Sequence, residues 1–91
     1  MTYGQILDAF TEVLYRYDPQ KLAPMGAPKD EYVHEATRIL AWLNDQETVT
    51  EETLLDAVHR IFVGAFDLKI AGPSEWYVEA TREMYALWTA R

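Results

Sequence analysis

Apolar side chains recur along this chain at three- and four-residue steps in four successive runs. In the first, Tyr3, Ile6, Leu7, Phe10, Val13, Leu14 and Tyr17 fall on one arc of a helix that turns about 100° per residue. Asp8, Glu12 and Arg16 take the opposite side. The pattern predicts a helix over residues 2–17. Asp18-Pro19 ends it, because the residue before proline is pushed out of the helical region. The second run, Tyr32, Ala36, Ile39, Leu40 and Leu43, predicts a helix from near Pro28–Asp30 to Asn44-Asp45. Proline suits a first helical position, and Asp30 and Glu31 suit the positive end of the helix dipole.

Leu54, Leu55, Val58, Ile61, Phe62 and Ala65 mark a third helix. Two starts fit it: a capping box of Thr48 with Glu51, or Thr50 as a simple cap. Asp56 and Arg60, four apart, should pair on its outer face. From Phe66 to Ser74 the chain reads as a connector. Phe66, Leu68 and Ile70 alternate with Asp67 and Lys69, which predicts a few extended residues, too few for a sheet. Gly72-Pro73-Ser74 then opens the last helix with Ser74 as cap, and Trp76, Tyr77, Ala80, Met84, Leu87 and Trp88 fill its apolar side. Val78 and Tyr85 carry that side almost round the helix. Such a helix is either central to the fold or part of an interface, for instance in a homodimer. The fold expected is all-α: one domain over residues 1–91, a compact bundle of about four helices with a Pro/Gly-structured loop between helices 1 and 2.

Composition narrows the function. Hydrophobic residues make up 49% of the 91 positions, which is material for one modest core. No cysteine is present, so thiolate catalysis, cysteine metal sites and disulfides are excluded. That suits a reducing cytosol, and a cytoplasmic protein is expected. No run of about 18 apolar residues could span a membrane. Met1-Thr-Tyr-Gly-Gln lacks the basic-then-apolar order of a signal peptide. The net charge is −7, with eight Lys and Arg against fifteen Asp and Glu. Nucleic-acid binding relies on neutralising phosphates, so this balance argues against it. An acidic surface attracts a basic partner instead, although net charge also simply keeps small proteins soluble.

No catalytic constellation emerges. His34-Glu35 would need a second histidine at position 38 to resemble a zinc motif, and that residue is Arg38. His59 lies on another helix with no evident partner. Asp30, Glu31 and Glu35 lack the alternating ligands and glycine turn of a calcium loop. Ser74, the only serine, sits where a helix cap belongs. No cofactor and no enzymatic activity are expected. Protein binding has a better candidate. Glu31, Glu35, Arg38 and Trp42 are spaced i, i+4, i+7 and i+11 and form one stripe beside the core arc of helix 2. A large aromatic at the edge of a charged stripe matches the anchor-and-rim layout of interfaces. The alternative is that Trp42 widens the core under a neighbouring loop.

Asp18-Pro19, then Gly26-Ala27-Pro28-x-Asp30-Glu31-Tyr32 and Glu35-Ala36, resembles the hallmark of a family of small all-helical bacterial proteins of unknown function. Relatives of that type look similar to immunity proteins of contact-dependent and polymorphic toxin systems. The resemblance makes Asp18, Pro19, Gly26, Pro28, Asp30 and Tyr32 the signature positions. It implies a cognate toxin domain as protein partner, masked without catalysis. The physics of those positions is structural first. Asp18 can bond backbone beyond the turn, Gly26 can take positive φ, and Pro28 with Asp30 can start a helix. Tyr32 would bury its ring and send its hydroxyl to a loop carbonyl. Lys29 beside Asp30 leaves the loop's own charge mixed.

Overall fold

The computed structural model describes residues 1–18, 26 and 30–91. Its helices are α1 (Tyr3–Tyr17), α2 (Val33–Asn44), α3 (Glu51–Phe66), α4 (Leu68–Ala71) and α5 (Val78–Ala90), with a 3-10 turn at Ser74–Tyr77 ahead of α5. Among the described residues there is no strand. The expected all-α bundle is what forms.

α1 starts where Thr2 and Gln5 cap each other. The Thr2 hydroxyl accepts the Gln5 amide at 3.2 Å, and the Gln5 side chain accepts the Thr2 amide at 2.9 Å. It stops at Asp18, which takes a left-handed conformation (φ 48°) and donates its amide to Leu14 O at 2.8 Å. Aspartate is one of the few side chains that tolerate this region. α2 begins later than the pattern predicts. Asp30–Tyr32 form a turn, with the Val33 amide on Asp30 O at 3.0 Å, and the helix proper starts at Val33. Tyr32 holds a bridging conformation (φ −96°, ψ 14°) with its side chain buried, so the turn ahead of α2 serves to insert that ring.

At α3 the choice between two starts falls to Thr50. Its hydroxyl accepts the Thr53 amide at 3.1 Å, while Thr53 Oγ1 accepts the Thr50 amide at 3.0 Å. Thr48 and Glu51 form no capping box. The connector is helical rather than extended. A lone extended segment would leave its backbone groups unpaired, whereas the Asp67 carboxylate accepts the Ile70 amide at 3.0 Å and opens α4. Ser74 does not cap the next element either. Pro73 occupies that position, and no side-chain cap is made.

α1 packs on α2 and α5, and α3 packs on α2, α5 and the connector. Phe10, Leu14, Tyr32, Ile39, Leu40, Leu54, Phe62, Tyr77 and Met84 are fully buried between them. Phe62 is the hub of the aromatic core, its centroid 4.9 Å from Tyr77 and 5.9 Å from both Tyr32 and Phe66. The wide apolar side of α5 is mostly absorbed here. Ala80 and Met84 are buried, and Tyr85, Leu87 and Trp88 pack against the core. Trp76 is the exception at 55% exposed, because the regular helix begins only after it. At the other end Arg16 donates to both Glu83 oxygens, at 3.0 and 3.1 Å, and the Tyr17 hydroxyl donates to the same carboxylate, which ties α1 to α5.

Candidate functional site

The signature residues join the end of α1 to the start of α2. The Tyr32 hydroxyl donates to Asp18 Oδ1 at 2.7 Å, while the loop carbonyl expected as its partner belongs to a segment outside the described residues. Asp18, held in the left-handed cap of α1, thereby meets a tyrosine whose ring is fully buried. Gly26 has φ +88°, the conformation expected of it. Asp30 is exposed in its turn. Pro19 and Pro28 lie outside the described residues.

The α2 stripe does not survive as a continuous surface. Glu31 and Arg38 are exposed, and neither makes an ion pair among the described residues. Glu35, expected among them as a partner contact, is only 7% exposed. It sits one turn after Tyr32 and one turn before Ile39, close enough to the core arc for the packing of α2 to cover it. Burial pushes its carboxyl above the usual carboxylate range. Its own backbone amide and the neighbouring His34 and Arg38 charges offset this only in part. Glu35 is therefore a buried acid rather than part of an exposed stripe.

Trp42 is half-buried. It packs against the core, and it also lines a groove of about 490 Å³ together with Gln46, Thr48, Glu52, Thr53, Asp56 and Arg60. The groove runs between the last turns of α2 and the outer face of α3. Gln46 is fixed by a bond from Nε2 to Trp42 O at 3.1 Å. Asp56 and Arg60 pair at 2.9 Å, as their spacing predicts. Among the described residues Glu52 makes no ion pair, and neither do Asp45 and Glu47 in the adjoining turn. The α3 half of this wall was missed from sequence. Its one signal was the polar face Glu52, Asp56, Arg60 at steps of four.

A second groove, of about 570 Å³, lies along α1, lined by Asp8, Thr11, Glu12, Tyr15, Arg16 and Asp30. Tyr15, which points away from the apolar stripe of α1, lies here. Arg16 is engaged by Glu83, while Asp8, Glu12 and Asp30 form no ion pair among the described residues. His59 proves to have partners after all. Its Nε2 lies 2.8 Å from Gly72 O and its ring 5.7 Å from that of Tyr77, so it pins the connector. Among the described residues no three His, Asp or Glu side chains converge to hold a metal, and no helix is long and apolar enough to cross a membrane.

Compared with protein-family models, with curated proteins and with solved structures, the chain matches none.

Proposed function

We propose that this chain is a non-catalytic protein-binding domain, most concretely an immunity protein that neutralises a toxin by masking a basic, nuclease-type toxin domain. One observation carries the binding half of the proposal. Among the described residues, the exposed carboxylates at Asp8, Glu12, Asp30, Asp45, Glu47 and Glu52 have no cationic partner. Their field is not cancelled internally, and it accelerates encounter with a positive surface. The toxin half draws on the resemblance of residues 18–36. Affinity would come from a few half-buried anchors, with Trp42 first among them and Glu31 and Arg38 on its rim. Co-expression with the adjacent gene's product tests this. The expected result is a complex that survives purification and rescues growth from that product's toxicity. A neighbour that is harmless, or never binds, overturns it.

A second reading is self-association. Leu68, Ile70 and Trp76, at 65%, 57% and 55% exposure, present apolar surface around α4 rather than along α5. Light scattering decides this, and a strict monomer at millimolar concentration refutes it.

A further inference from the structure

The groove at Trp42 has a sign and a shape that specify what can occupy it. An exposed helix N-terminus ordinarily attracts anions. At α3 that site is already taken: Thr50 and Thr53 cap each other, and Glu51 and Glu52 supply negative charge in the first turn. An anionic ligand is therefore disfavoured. Asp45 and Glu47, in the turn between α2 and α3, add further unpaired negative charge beside the groove. Among the described residues the one cation in the wall is Arg60, which Asp56 holds at 2.9 Å.

Trp42 lines the same groove as Glu52, and its indole is the aromatic whose face attracts cations most strongly. A planar guanidinium can lie on that face and still direct N–H groups edge-on to a carboxylate, which a compact ammonium does less well. A volume of about 490 Å³ is within the range of ligand clefts. We propose that this groove receives an arginine side chain of a basic protein partner, with the guanidinium stacked on Trp42 and bonded to Glu52. The inference rests on the protein-binding reading and gives it a contact centre. Trp42 is kept from sequence, Glu35 is dropped, and Glu52 is added.

The test uses a nine-residue peptide carrying three arginines and two controls, one with lysine and one with uncharged citrulline at the same positions. Binding to the full chain is measured by calorimetry, and the Trp42 indole resonance is followed by NMR. The arginine peptide should bind about fivefold or more tighter than the lysine peptide, and the citrulline peptide should not bind. Glu52→Gln should weaken arginine-peptide binding about tenfold, the change one lost charge-assisted bond produces. Glu52 is exposed, so this variant keeps the fold. Glu75→Gln, at an exposed position that lines neither groove, changes net charge equally and should alter affinity less than about twofold, because a solvent-screened charge outside the groove adds little to a contact within it. Trp42→Phe should reduce the preference for arginine while keeping most of the packing. Equal losses in the two glutamine variants, equal binding of lysine and arginine, or an unmoved Trp42 indole each overturn the proposal. Failure here while the neighbouring gene's product still binds rejects the groove alone. Failure of both rejects the protein-binding reading as well.

Discussion

Thr81 offers the sharpest test of the packing. It is fully buried in α5, and its hydroxyl has no hydrogen-bond partner among the described residues. Three other threonines in this chain show what is missing. Thr11, Thr37 and Thr89 return their hydroxyls to the carbonyls of Leu7, Val33 and Tyr85, at 2.8, 2.7 and 3.0 Å. For Thr81 the equivalent carbonyl belongs to Tyr77, in the 3-10 turn where the regular helix has not yet begun. A buried unsatisfied hydroxyl costs about 1–3 kcal/mol. Thr81→Val replaces it with a methyl group of similar shape, and the two residues have similar helix propensities. The expected gain is about 1–2 kcal/mol, or a rise in Tm of roughly 4–8 °C per kcal/mol for a domain of this size. Urea unfolding followed by tryptophan fluorescence should show a higher midpoint with an unchanged slope. Thr11→Val is the control. Its hydroxyl is bonded, so no gain should follow. An unchanged or lower midpoint for Thr81→Val would mean that the hydroxyl is satisfied in solution, and the reasoning would fail.

Three further outcomes follow from the same geometry. Glu35→Gln should stabilise the protein at neutral pH: the folded state raises this carboxyl's pKa, so its contribution is fully present below the unfolded value and lost as pH rises through the folded one. The advantage of the variant over wild type should shrink as pH falls towards 4, and urea midpoints across that range would show it, with a pH-independent difference counting against the buried-acid account. Tyr32→Phe removes the 2.7 Å bond to Asp18 and should cost about 1–2 kcal/mol, since that carboxylate is half-exposed and can regain water; a loss under about 0.3 kcal/mol would show the bond to be replaceable. Gly72→Ala places a Cβ 2.3 Å from the Trp76 ring at φ +75°, and should destabilise by roughly 1–3 kcal/mol while shifting tryptophan emission, with a neutral result excluding the observed connector.

Residues that do not depend on distant neighbours were legible in the chain. The stripes of α1 and α3 place Phe10, Leu14, Leu54, Val58 and Phe62 in the core, as the helical period requires. Boundaries were less so. The turn at Asp30–Tyr32 exists because Tyr32 reaches a carboxylate fourteen residues earlier, and no local propensity encodes that reach. The connector misled for a related reason. Alternating Phe66, Leu68 and Ile70 suits a strand only if a strand lies beside it, and none does among the described residues. Asp67 then decides the outcome by capping α4.

The candidate site shows the same division. Composition and spacing were enough to establish an acidic helical bundle with Trp42 at the margin of an apolar arc, because charge and the angle around one helix are properties of the chain alone. Which neighbour closes over each side of that arc depends on how α2 crosses α3. In the folded chain Glu35 is buried, and Trp42 lines a groove together with Glu52. Positions near the edge of an arc can lie on either side of the boundary with water, and the boundary is drawn by the other helix.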